Sequence, residues 1–216
     1  MPARPVQARH PGAKRLTYAN RRQPSLRDLV KLMSAPSSLA VATLDPASFA
    51  QTIERLAEIL RACVHDGASI GFVLPFEMDQ ARAYWRDRIA PAHAAGAKLV
   101  LIATLGGDVA GTAQLDLDSM PSKRHHAEVS KVLVDPRFRR AGVARALMWS
   151  IERRAVAEGR WLLTLDTAGD AAEALYRSLG YSLAGAIPHY ARDAFEDRYD
   201  ATRLMYKDLR GTDAGR

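Results

Sequence analysis

Arginines gather where a β-branched strand turns into an apolar helix in the stretch VLVDPRFRRAGVARALMW, from Val132 to Trp149. A helix start leaves backbone N–H groups unpaired and carries the positive end of the helix dipole. Such an end suits phosphate. Arg139, Arg140, Ala141, Gly142, Val143 and Ala144 combine small residues that let backbone approach an anion with guanidinium groups that surround it with positive potential. A solvated arginine cluster beside an ordinary helix start reads the same from these residues alone. The pattern is neither the G-x-G-x-x-G of a dinucleotide turn nor the Gly-Lys-Ser/Thr of a P-loop. Two carboxylates also stand in apolar strand runs, Glu128 in AEVSKV and Asp166 at the end of LLTLD. Acids so placed can take a proton from a nucleophile. Solvated or salt-bridged strand-end carboxylates would look alike.

The elements that must position these groups follow from periodicity. DPASFAQTIERLAEILRACVHDG puts Phe49, Ile53, Leu56 and Cys63 on one side of a helix that stops at Gly67. MDQARAYWRDRIAPAHAAG predicts a second helix through Trp85 and Ile89, ending near Pro91 or Gly96. AKLVLIATLGGDVAGTAQLDLD reads as a hairpin turning at Gly106-Gly107. HHAEVSKVLVDP is a strand, followed by a helix from about Gly142 to Gly159. RWLLTLDT is a strand, DAAEALYRSLG a helix, and YSLAGAIP and ATRLMYKDL two closing strands. The order ααβββαβαββ implies one α/β domain on a sheet of mixed direction.

The chain has 216 residues and a net charge of +7, and 48% of it is hydrophobic. No apolar run approaches the roughly 20 residues of a membrane span. Residues 1 to 32 hold eight Lys or Arg and one acid, Asp28, so the whole excess lies there; the remaining 23 basic and 23 acidic residues cancel. With Pro2, Pro5, Pro11 and Pro24 the segment 1–44 reads as a basic, disordered leader, ahead of a domain over 45–212. Met33 opens a plausible mature start, which makes the first 32 residues a candidate over-extended reading frame that the intact mass of the native protein tests. The single cysteine, Cys63, forms no internal disulfide and reads as a small buried hydrophobe; the chain suits a reducing cytoplasm. His125 and His126 have no third ligand at metal spacing and read as exposed loop residues, so no metal is expected.

The segment V-x-P-x-x-R-x-x-G-x-A, followed one strand later by A-x-x-L-Y-x-x-x-G-Y in AEALYRSLGY, resembles the GNAT superfamily of N-acetyltransferases from about Leu44 to Leu209. VHDGASIGF, AEVSKVLV, LLTLDT and AIPHYARD are similar to the tabtoxin-resistance acetyltransferase group. The resemblance implies a mixed, mostly antiparallel seven-stranded sheet with a central splay, flanked by about four helices, and acetyl-CoA as cosubstrate. It implies that the turn Arg139–Ala144 wraps the pyrophosphate and that the backbone of Val132, Leu133 and Val134 pairs with pantetheine. It places Tyr176 where these enzymes carry a general acid for the departing thiolate, and Glu128 and Asp166 in the acceptor pocket, where one or both take the amine proton. Phe72 and Tyr190 fall in the loops expected to shape that pocket. Arg140 and Ala144 replace two motif glycines, and Gly169 stands where a cofactor-side asparagine is common.

The acid pair matters because acetyl transfer needs a neutral amine. A lysine-like amine of pKa about 10.4 is neutral less than about one time in a thousand at pH 7, an α-amine near 7.7 about one time in six. The expected function is transfer of acetyl from acetyl-CoA to a primary amine of a small molecule, a toxin or antibiotic as in the relatives, by a cytoplasmic monomer or homodimer. Protein lysine or N-terminal acetylation is the enzymatic alternative. A CoA-binding domain without catalysis, and nucleic-acid binding through the basic leader, are the alternatives of other classes; the second predicts salt-sensitive binding lost with residues 1 to 32.

Overall fold

The computed structural model describes residues 38–211; the reading of the basic leader and of a start at Met33 lies outside them. Seven strands form one sheet in the order β1-β2-β3-β4-β5-β7-β6. They are β1 (Ala40–Thr43), β2 (Lys98–Leu105), β3 (Asp108–Asp116), β4 (His126–Val134), β5 (Leu162–Thr167), β6 (Ser182–Arg192) and β7 (Tyr199–Asp208). All neighbours are antiparallel except β4 and β5. The helices are α1 (Phe49–His65), α2, α3 (Val143–Ala157) and α4 (Asp170–Ser178). Helix α2 is continuous in three pieces, Met78–Ala83, a π-helical stretch Tyr84–Ile89, and Ala90–Ala94.

Strand β1 corrects the sequence reading, which begins the domain at Asp45. Ala40–Thr43 pair with Leu101–Thr104 of β2, so the sheet starts five residues earlier. Four residues are too few for a hydrophobic period to announce a strand. Helix α2 ends at Ala94, by Gly96, the later of the two ends read from the sequence, and it passes Pro91 because that residue sits in the first turn of the renewed α-helix, where its missing N–H takes no bond from the ladder. The hairpin forms as read: Gly106 and Gly107 both have positive φ, as a two-residue turn matched to the strand twist requires.

Each face of the sheet carries its own core. On one, α3 and α4 bury Leu147, Met148, Ile151 and Leu179 against Leu101, Leu115, Val129, Leu163 and Met205. On the other, α1 and α2 bury Leu56, Ile59, Leu60 and Trp85 against Val100 and Leu133. Burying each such side chain contributes about 1.5–3 kcal/mol. Cys63 belongs to this second core, 3% exposed, and burial pushes its thiol up to about 11.

Candidate active site

Strands β4 and β5 pair only through His126–Glu128 and Leu162–Thr164, then separate. Beyond Glu128 the β5-facing edge of β4 therefore has no strand partner along Val129–Val134, although the Val134 carbonyl accepts from Cys63 Sγ at 3.4 Å. On its other edge β4 is bulged against β3: Gln114 pairs with Ser130 but Thr112 with Leu133, and Lys131 within the bulge has φ 50°. The bulge reverses the strand's alternation. Ala127 and Val129 face α3 and α4, whereas two positions past the bulge Leu133 faces α1 and α2. Close packing at this point also demands Gly111, where a Cβ would lie 2.6 Å from the Leu133 carbonyl oxygen.

The turn after β4 is built from backbone. Asp135, 3% exposed, accepts from the Arg137 amide at 2.9 Å and from the Arg137 guanidinium at 2.9 Å, and also pairs with Arg55. Burial alone would raise its carboxyl, but the hydrogen bonds of Arg137 and Arg55 outweigh that and hold it well below the usual range. Arg140 at φ 64° and Gly142 at φ 78° then bend the chain into the start of α3. The amide N–H groups of Arg140, Ala141, Gly142, Val143, Ala144 and Arg145 donate to no described residue, and residues 139–142 are exposed. Six free donors at the positive end of a 15-residue helix without acids in its first turn form a cradle for an anion such as a pyrophosphate.

The four arginines of the turn divide their work. Arg137 is held by Asp135, Arg139 pairs with Asp66, and Arg145 donates to Ser178 at 2.9 Å, tying α3 to α4. Arg140 makes no ion pair or hydrogen bond with any described residue and is exposed beside the cradle.

The predicted acids share a face. Leu163 and Leu165 point to the α3/α4 core, so Thr164 and Asp166 point to the other side, as does Glu128, the register partner of Thr164. Both acids are exposed. Asp166 accepts from Thr202 Oγ1 at 3.0 Å; Glu128 has no hydrogen-bond or ion-pair partner among the described residues. Tyr176, on α4, comes from the opposite core and is 7% exposed. Burial first, and the Asp166 charge second, push its phenol up to about 12. Its hydroxyl bonds to no described residue, so its proton is available to a ligand.

Phe72 packs on this face against the wall of α2, 5.3 Å and edge-on to Tyr84, whose hydroxyl lies 3.3 Å from Gln114 Oε1. The two loops expected to shape the pocket meet, the Leu74 amide donating to the Ala194 carbonyl at 2.9 Å. The loop placement of Tyr190 is corrected: it lies within β6, next to His189 at φ 53° in a register shift, and is 54% exposed. The histidines are also corrected. His126 opens β4 and bonds Thr164 Oγ1 at 2.7 Å, and His125 stacks on Trp161 at 4.5 Å.

Four further side chains on this face escaped the sequence reading: Tyr84, Arg88, Gln114 and Lys131. Lys131 carried a signal, a charged residue directly after Ser130 that breaks the alternation of β4. The others come from α2 and β3 and are adjacent only in the fold.

Solved structures place the architecture. yncA of Salmonella typhimurium, a candidate acetyltransferase solved with its cofactor acetyl-CoA, is 22% identical and superimposes with a TM-score of 0.65, over 83% of this chain and 99% of that one. The ribosomal-protein-alanine N-acetyltransferase of Brucella melitensis is also 22% identical, with a TM-score of 0.64 over 79% and 99%. A candidate phosphinothricin N-acetyltransferase is 17% identical, with a TM-score of 0.63 over 80% and 99%. At these identities the likeness is one of fold. Among the described residues no helix is long and apolar enough to cross a membrane. Residues 53–181, which carry the splayed strands, the amide cradle and the Tyr176 helix, match the Acetyltransferase (GNAT) family, and the chain belongs to that family of acetyltransferases, whose cosubstrate is acetyl-CoA.

Proposed function

We propose that this chain acetylates a primary amine of a small molecule, with Glu128 as proton acceptor and Tyr176 as hydrogen-bond donor to the leaving sulfur. The observation that carries this reading is the arrangement at the β4/β5 splay. Two exposed carboxylates flank the opening on one face, and on the other stands the unpartnered phenol of Tyr176, within the field of Asp166. Bound acetyl-CoA supplies an activated acetyl thioester. The cradle of amides from Arg140 to Arg145 and the Arg140 guanidinium hold its pyrophosphate, and the open β4 edge at Val132, Leu133 and Val134 pairs with its pantetheine arm.

Glu128 is favoured over Asp166 as base because its lone pairs are uncommitted, whereas Asp166 already accepts from Thr202. It removes the proton that the amine nitrogen loses as its bond to the acetyl carbon forms, directly or through one water. The carbon–sulfur bond breaks with its electron pair on sulfur. Tyr176, with its pKa pushed up to about 12, keeps its own proton. Handing it fully to a thiolate of ordinary pKa about 8.5 would cost about 5 kcal/mol. It therefore stabilises the departing sulfur by hydrogen bonding, and the amine proton, passed through solvent, balances the thiol.

The similarity of sequence motifs to the tabtoxin-resistance group supports a small, polar acceptor. Thiol release from acetyl-CoA over a panel of small amines and of Lys- and Ala-terminated peptides tests the reading. Turnover of small amines with Tyr176→Phe lowering kcat roughly tenfold to a hundredfold, acetyl-CoA binding intact, is the expected result. Peptides turned over in preference would overturn the small-molecule acceptor, and an unchanged kcat would remove Tyr176 from the reaction.

A further inference from the structure

Resting on the reading of this face as the acceptor site, we infer that the acceptor amine also carries an anionic group, a carboxylate or phosphonate, which Lys131 and Arg88 hold while Glu128 faces the amine.

The left-handed backbone at Lys131 sits in the β4 bulge, at the mouth of the splay. The charges that act on its ammonium are those of Asp166, Lys98, Glu128 and Arg88, all on the face covered by α1 and α2. The site thus holds two carboxylates and three cations, and they are not equally matched. Lys98 is satisfied by Asp116 at 2.6 Å. Lys131 and Arg88 have no ion-pair or hydrogen-bond partner among the described residues. Neither carboxylate comes within 4 Å of the Lys131 nitrogen, although the side chain is half-buried.

A partly desolvated ammonium without a partner is costly, and a second unpaired cation beside it adds repulsion. Burial, with Lys98 and Arg88, lowers the Lys131 pKa against the pull of the two acids. A ligand anion between Lys131 and Arg88 removes both penalties. Arg88 stands in the π-helical stretch of α2, one turn from Tyr84, whose hydroxyl and Gln114 offer neutral hydrogen bonds to the same ligand. A ligand with an amine toward Glu128 and an anion toward Lys131 and Arg88 matches these three charges and leaves Asp166 on its Thr202 hydrogen bond. A lysine side chain in a protein, or a peptide N-terminus, has no such anion beside its amine.

The test uses the full-length protein with acetyl-CoA, the standard L-amino acids paired with their primary amides, and 2-aminoethylphosphonate paired with ethanolamine. Thiol release gives kcat/KM, and calorimetry in the presence of CoA gives binding independently of turnover. The expected result is that at least one acid exceeds its neutral partner by about tenfold or more. In Lys131→Met that ratio falls toward one, and in Lys131→Arg it persists. Arg88→Gln, a change at an exposed position, reduces the ratio as well and covers the case in which Lys131→Met does not fold. Preferential binding of an acid without thiol release from any amine would sustain the anion site and sink the acetylation reading. Parity across all pairs, no binding of any acid, or a ratio untouched by Lys131→Met and Arg88→Gln would overturn the inference.

Discussion

The turn after β4 and the face beside the splay lie next to one another and, in the function proposed here, meet opposite ends of the reaction, yet they are built on different principles. The turn, Asp135 to Ala144, is made of consecutive residues, and its recognition elements are backbone amides fixed by two positive-φ residues and one buried carboxylate. The face is made of side chains from α2, β3, β4, β5 and β7, and its chemistry depends on which of those charges are already paired. Backbone recognition tolerates many side chains so long as the geometry survives. Side-chain recognition changes with a single charge, so one fold can serve unlike acceptors.

The sharpest division between the two regions is expected from Glu128→Gln. Loss of the proton acceptor should reduce kcat/KM for the amine roughly 10²–10⁴-fold. Acetyl-CoA binding, measured by calorimetry, should not change, because the face does not build the cradle. An equal loss of cofactor affinity would erase the distinction.

Asp135→Asn should act on the turn and on folding. The carboxylate anchors the turn to α1 through Arg55 and to its own loop through Arg137, so its loss should lower stability by about 1–3 kcal/mol in a denaturant titration. The sign of the pH dependence follows from a native pKa held below the unfolded one. The contribution is complete above the unfolded value near about 3.9 and is withdrawn as pH falls below it toward the native pKa. The gap between wild type and variant should therefore narrow only in acid below about pH 4. A gap that widens there would show that the carboxylate is not the stabilising form.

The smallest effect is Gly142→Ala. A Cβ at this position would meet nothing within 4 Å, so sterics contribute nothing beyond the left-handed backbone. That conformation costs an alanine about 1–2 kcal/mol. The exposed turn can relax without ligand, so the melting temperature should hardly move, while the acetyl-CoA Kd rises roughly five- to thirtyfold. Unchanged affinity would mean that the amides are not the cofactor's seat.

Much of the architecture was legible because local periodicity and turn chemistry agree with the fold. The Gly106-Gly107 hairpin, α1, α3 and α4 follow from such signals, and the cradle could be read because its residues are contiguous. Strand β1 was not legible, because it gains its place only by pairing with β2 across α1 and α2. Tyr190 was misplaced because a bulged strand and a loop share polar, irregular sequence.

By itself, then, the order of residues determined the turn, its glycine and arginines, and the presence of acids in two apolar strands, since each depends on neighbours within one helical turn or one strand. Only the tertiary structure decided that Arg139 is taken up by Asp66, that Glu128 stands free where Asp166 does not, and that Lys131 and Arg88 share a face without partners. Pairing of charges is a property of space, set by sheet order, a β-bulge and the packing of α2, and residues 43 positions apart such as Arg88 and Lys131 carry no local mark of their proximity.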